Sequence, residues 1–227
     1  MIRVAIDGPS GAGKSTISRY IAQKLGLVYI DTGAMFRAVG IFMLRHHVDI
    51  KNEPEKVIAL LPEVEVELIP GENGTKVYLG KEDVSEEIRT PDASMAASDV
   101  SAIPKVREKV LVLEKKMSEK SSCIMDGRDI GTTVLPDAEL KIFLTATPEA
   151  RAYRRFLELQ EKGNTDSYET VLADMKQRDE NDSTRAASPL RKAEDAVVFD
   201  STEFTLEETK EQLCAMVKEK MDAVSNS

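Results

Sequence analysis

The amino-acid sequence predicts an α/β fold: a doubly wound parallel sheet of five strands, with an antiparallel β insertion and a helical lid. Three observations predict it. Short apolar runs recur without polar alternation, as strands covered on both faces require. Helical patterns separate them, and a strand–helix–strand rhythm gives a parallel sheet. One stretch, 64–79, alternates instead and marks an inserted hairpin.

Arg3 to Ile6 is the first run and ends at Asp7. "GPSGAGKST", Gly8 to Thr16, follows and opens a helical pattern from about Lys14 to Leu25. Leu27 to Ile30 is the second run, closed by Asp31-Thr32-Gly33. The next helix puts Met35, Val39, Phe42 and Met43 on one face. His46-His47 reads as its terminus, where histidine suits the dipole. "VEVELIPGENGTKVYL", Val64 to Leu79, is the hairpin, with "GENG" as its turn. "RTPDASMAAS", Arg89 to Ser98, reads as a capped helix start, since Pro91 suits a first turn. Cys123 to Met125 is the third run and ends at Asp126; Leu140 to Leu144 and Val197 to Phe199 complete the five. The charged stretch 161–189 carries a helix from about Tyr168, with Val171, Leu172 and Met175, and reads as a flap. The expected organisation is one domain over 1–227: a core of 1–60, 90–150 and 190–227, an insertion at about 61–89 and a lid at about 151–189.

Composition narrows the function. The chain has 227 residues, 41% hydrophobic and 31% charged, enough for one core with small insertions. Its net charge of −9 argues against a nucleic-acid polymer as partner, which needs a basic surface. Cys123 and Cys214 lack metal-ligand spacing and read as core thiols of a reducing compartment. "MIRVAIDG" reads as a strand, so no secretory leader is expected. No apolar run approaches the roughly 20 residues of a membrane span. A cytoplasmic protein is expected, and a monomer, since nothing signals association.

The strongest motif is Gly8 to Thr16, which fits G-x-x-x-x-G-K-[ST] between a strand and a helix. Gly8, Pro9, Ser10, Gly11, Ala12, Gly13, Lys14, Ser15 and Thr16 form a phosphate-binding loop (P-loop). Glycines let backbone N–H groups converge on phosphate oxygens. The helix N-terminus adds about half a positive charge. Lys14 is expected to bridge the β- and γ-phosphates of ATP, and Ser15 to give its hydroxyl to Mg²⁺. The fold is thus that of a P-loop NTPase. Asp31 and Asp126 stand at strand ends near the loop, positions that suit either holding Mg²⁺ waters or capping the next turn.

The guanine-reading Asn-Lys-x-Asp of switch GTPases does not occur, and the chain is short for a motor. A small kinase remains, and it must bring an acceptor to the γ-phosphate. Several arginines fall at strand ends and in the insertions rather than on helix faces: Arg37 follows "DTGAMF", Arg89 follows the hairpin, Arg107 opens a long helix, Arg128 follows the third run, and Arg178 and Arg185 lie in the charged flap. Guanidinium groups match phosphate bidentately. An anionic acceptor approaching another anion needs such screening, and a positioned arginine is worth about 10³–10⁵ in rate.

"GPSGAGKST", "DTGAMFR", "EIRTPDASMAASDVSAIPKVRE", "DGRDIGTTVLPDAELKIFL" and "RDENDSTRAASPL" together resemble bacterial cytidylate kinase, in order and over nearly the whole chain. The resemblance implies a nucleoside monophosphate kinase in which 61–89 binds the acceptor and which, with Mg²⁺, converts ATP and CMP or dCMP to ADP and CDP or dCDP. It puts the ATP phosphates on Gly8 to Thr16. It implies that Arg37, Arg128 and Arg178 hold the acceptor or transferring phosphate, with Thr32 beside it. Lys14, Arg128 and Arg178 are then the catalytic cations. Ser98, Arg107 and Asp129 would face cytosine, and Asp182 and Arg185 the sugar or lid. Phe36 stands where the family often has tyrosine. The chemistry agrees: a carboxylate accepts from cytosine's exocyclic amine but faces a carbonyl in uracil, so CMP and dCMP are expected over UMP. Two other readings stand beside this one. A P-loop kinase for a hydroxyl acceptor needs a carboxylate base instead of many arginines. A non-catalytic nucleotide-binding module does not need Lys14 and Ser15.

Overall fold

The computed structural model describes residues 1–69, 75–161 and 163–226. In chain order they form β1 (Arg3–Asp7), α1 (Lys14–Leu25), β2 (Val28–Asp31), α2 (Thr32–Arg45), α3 (Pro54–Leu60), β3 (Val66–Ile69), β4 (Lys76–Leu79) and β5 (Glu82–Asp83). There follow α4 (Pro91–Ser101), α5 (Pro104–Ser118), β6 (Cys123–Gly127), β7 (Leu140–Thr145), α6 (Pro148–Glu161), α7 (Tyr168–Thr184), β8 (Val197–Asp200) and α8 (Leu206–Ser225). Contacts divide them into two units, Met1–Leu27 with Ser122–Ser227, and Val28–Ser121.

The parallel sheet has five strands. Four belong to the first unit, in the order β6-β1-β7-β8, and the fifth, β2, to the second. Val4, Ala5 and Ile6 of β1 are wholly buried, and Cys123 to Met125 of β6 likewise, which is why these strands carry no polar alternation. β8 departs from the expected burial on both faces. Val197 and Val198 are 44% and 52% exposed, and only Phe199 is buried. The reason is position: β8 ends the sheet and has a strand on one flank alone.

Gly13 at φ 85° and Gly26 at φ 68° bracket α1, conformations that favour glycine. Ile17, Ile21 and Ala22 of α1 are buried, as are Leu213 and Val217 of α8. α8 starts with a capping box in which Thr205 and Glu208 satisfy one another's backbone N–H groups. α6 and α7 share a small core of Ala152, Val171 and Met175, ringed by Phe156, Leu159, Tyr168 and Leu172.

In the second unit, α2 packs closely on α4 through Gly40. A Cβ there would sit 2.8 Å from the Ala96 Cβ and 3.0 Å from its carbonyl carbon. The inserted hairpin is antiparallel, with Val66 opposite Leu79 and Leu68 opposite Val77. Its "GENG" turn, 71–74, lies outside the described residues. β5 adds a third strand that the sequence reading lacks. Arg45 ties it back by bonding Glu82 and Glu87. Among the described residues no helix is long and apolar enough to cross a membrane.

Candidate active site

Residues 8–13 form the turn from β1 into α1. Gly8 is obligatory, because a Cβ there would lie 1.9 Å from the carbonyl oxygen of Leu144. Gly11, at φ 72°, adopts a left-handed conformation that favours glycine, and a Cβ there would stand 2.8 Å from the Met175 Cε of α7. Lys14 opens α1 and is buried, its ammonium donating to the carbonyl of Pro9 at 2.8 Å. Burial drives its pKa well below the ordinary lysine value, and the Arg128 guanidinium drives it further, while Asp126, Asp7 and Asp182 oppose. Such a cation gains most from an incoming anion. The Ser15 hydroxyl donates to Asp126 Oδ2 at 2.7 Å. That hydroxyl and carboxylate are the hard oxygen donors that Mg²⁺ takes. Among the described residues no group of three or more His, Cys, Asp or Glu is placed to hold a metal.

β6 delivers "DGRDIG" beside the loop. Asp126 is its buried penultimate residue, and Gly127 ends it. Arg128 and Asp129 then leave the sheet before a single π-type turn, Ile130–Val134. The Arg128 Nε donates to Asp182 Oδ2 at 2.7 Å, so its carboxylate partner comes from α7 and not from its own turn. Arg185 reaches Asp129 at 3.6 Å and Asp182 at 3.9 Å. Burial alone would raise the Asp182 pKa, but Arg128, Arg178 and Arg185 outweigh it and hold the carboxyl below its ordinary value. Arg178 lies exposed one turn before Asp182 on α7. Lys14, Arg128, Arg178 and Arg185 are thus gathered with Asp126, Asp129 and Asp182 in one unit.

In the second unit, Asp31 resolves in favour of capping. It accepts the Ala34 N–H at 2.9 Å and the Arg37 Nη2 at 3.0 Å. Gly33 leaves room for that arginine, since a Cβ would lie 2.9 Å from its Nη1. Thr32 is buried beside them at the start of α2. Arg107 on α5 lies over the Phe36 ring at 5.4 Å, an apolar partner that a tyrosine hydroxyl is not needed to supply. Ser98 is half-buried on α4. His46 ends α2, its Nδ1 bonded to the Phe42 carbonyl, as its terminal reading requires.

Two buried residues escaped the sequence reading. Arg151 on α6 donates to the Ala146 carbonyl at 2.9 Å, the Ser10 carbonyl of the loop at 2.8 Å and Asp179 of α7 at 2.7 Å. Nothing in "PEARAYRR" separates it from a solvated helix arginine. Asp7 accepts the N–H groups of Ile130 and Gly131 at 2.8 and 2.7 Å. A carboxylate directly before the first loop glycine was its available signal.

A protein-family model described as "Cytidylate kinase" matches residues 4–219. A cytidylate kinase of Caldicellulosiruptor saccharolyticus is 55% identical over 207 residues, 91% of each chain. One of Carboxydothermus hydrogenoformans is 47% identical over 98% of this chain and 100% of its own. One of Enterococcus faecalis is 46% identical over 96% of both.

Proposed function

The chain belongs to the cytidylate kinase family, and from that premise we propose that it transfers the γ-phosphoryl group of ATP to CMP or dCMP, giving ADP and CDP or dCDP. The observation that carries the reading is the cation cluster of an acidic protein. Lys14, Arg128, Arg178 and Arg185 converge around Asp182 beside a phosphate-binding loop, although the chain's net charge is −9. Two anions that must meet need such a cluster, and a neutral hydroxyl acceptor does not.

The loop amides and Lys14 hold the donor phosphates. Arg128 and Arg178 hold the acceptor phosphate and stabilise the charge spread over the transferring group. The acceptor phosphate oxygen is already charged, so no residue need remove a proton from it. Mg²⁺, when bound with ATP, neutralises donor-phosphate charge, and Ser15 with Asp126 would hold it. Thr32 and Arg37 belong to the acceptor side, Ser98, Arg107 and Asp129 to the base, and Asp182 and Arg185 to the sugar and the closing segment. The same reading keeps one catalytic domain, with 61–89 as the acceptor-binding insertion and 151–189 as the lid, working as a cytoplasmic monomer.

An ADP-release assay across CMP, dCMP, UMP, AMP, GMP and shikimate tests it. CMP and dCMP should be turned over best, and Lys14→Ala should lose about 10²–10³ in kcat. Equal specificity constants for UMP and CMP, or ADP release only with shikimate, overturns the assignment.

A further inference from the structure

Asp7 joins the donor loop to the turn that carries Arg128 and Asp129, and it does so twice. Its backbone pairs with Gly127 across the parallel ladder, on the near side of that dipeptide. Its carboxylate takes the amides of Ile130 and Gly131, on the far side, one to each oxygen. A two-residue excursion is therefore pinned at both ends by the residue that immediately precedes Gly8. Asp7 is only 4% exposed, so the carboxylate has been moved out of water to make these bonds. A free loop end would not need that cost, because Asn, Ser or the bare backbone can cap a turn. Gly131 completes the fit. A Cβ there would stand 3.3 Å from Asp7 Oδ2 and 3.2 Å from Lys141 Cδ, so only glycine lets the amide approach without displacing its partners.

We propose that Asp7 is a positioning residue for phosphoryl transfer: its carboxylate fixes Arg128 and Asp129 relative to the phosphate-binding loop, and so sets the acceptor against the donor. The proposal rests on the kinase reading above. Both oxygens must be acceptors, which only the ionised carboxyl offers in full. Asn supplies one acceptor and turns an NH₂ toward the second amide. Lys14, Asp129 and Lys141 are the charged groups around it: Lys14 favours the ionised form and Asp129 opposes it, while the Lys141 ammonium is taken up by Asp195 and the Pro136 carbonyl. Burial pushes the Asp7 pKa up to about 6, so ionisation is lost just below neutrality.

The test compares the wild-type enzyme with D7N and with G131A, which reaches the same contact from the other side. kcat and KM are measured for ATP and for CMP from pH 5 to pH 8. A misplacement of the order of 1 Å costs about 10² in rate, so D7N should lose about that factor in kcat/KM for CMP at pH 8. Its KM for ATP should stay within about threefold, a misplaced acceptor leaving donor binding intact. CMP itself titrates near pH 6, so the decisive readout is the ratio of wild type to D7N, in which the substrate cancels. That ratio should shrink toward 1 as pH falls through about 6. G131A should show the same pattern more weakly, and it carries the test if D7N does not fold. A ratio independent of pH, a loss confined to the KM for ATP, or wild-type kinetics in D7N and G131A overturns the role. If the wild-type enzyme does not phosphorylate CMP, the kinase reading fails first, and the two failures are distinct.

Discussion

At the scale of single residues, the candidate site depends on which partner each charge already has. Asp129 is buried and meets Arg185 at 3.6 Å, so removing it leaves a guanidinium without that carboxylate and, on the proposed reading, a base edge without an acceptor. Leaving such groups unmatched costs about 1–3 kcal/mol. D129A should therefore erode the preference for CMP over UMP about tenfold while the KM for ATP hardly moves. Steady-state kinetics with both acceptors decides it, and an unchanged CMP/UMP ratio would remove Asp129 from base reading. Arg128, Arg178 and Arg185 were legible as candidates because guanidinium beside a phosphate-binding loop suits phosphate, and the structure brings these three around Asp182. Their pairing was not. Arg128 bonds Asp182, 54 residues away, rather than the two acids that flank it in sequence.

At the scale of elements, bounds follow the strength of the local signal. α1 begins at Lys14 and ends at Leu25 as read, because a glycine stands just outside each end. β5 was invisible because Glu82 and Asp83 are both exposed and leave no apolar pattern. Arg151 was invisible because two of its three acceptors are a carbonyl 141 residues away and an acid 28 residues away, and no spacing encodes either. The closest helix contact yields a prediction. G40A should gain about 1 kcal/mol of helix propensity in α2, but it drives a Cβ to 2.8 Å from Ala96, whose nearest atoms are backbone or fixed to it. No side chain can rotate away, and overpacking costs about 1–3 kcal/mol, so the cost should win. A net loss of about 1 kcal/mol is expected by urea unfolding, and a more stable G40A would show that α2 and α4 can part cheaply.

At the scale of the whole molecule, the buried carboxylates pull the pH dependence of stability in opposite directions. Asp7 has its pKa raised to about 6 in the fold, chiefly by burial. Its contribution is fully present below about pH 4 and is lost as pH rises through about 6. Asp182 has its pKa lowered, so its contribution is present above the ordinary carboxylate range and is lost as pH falls through its depressed value. Of these two carboxyls, only Asp7 changes charge between pH 7 and pH 5. Over that interval wild type should gain about 1 kcal/mol relative to D7N, or roughly 3 °C in Tm. Paired thermal melts at the two pH values test the sign. A difference that stays constant would mean that Asp7 does not titrate in the folded chain. Stability and the proposed catalysis then favour opposite protonation states of one carboxyl.

Asp182 has a further consequence. With Arg128 bonded at 2.7 Å and Arg185 at 3.9 Å, its carboxylate acts as an internal counter-ion for the guanidinium groups assigned to substrate. On the proposed kinase reading, an arriving phosphate would not fill a vacancy; it would perform an ion exchange. A singly charged, diffuse anion is a poor eluent against a carboxylate held by geometry, whereas a dianion with oxygens on three sides is a strong one. On the proposed reading the arginine cluster resembles a resin delivered in its carboxylate form, with that carboxylate as the group an arriving phosphate would displace.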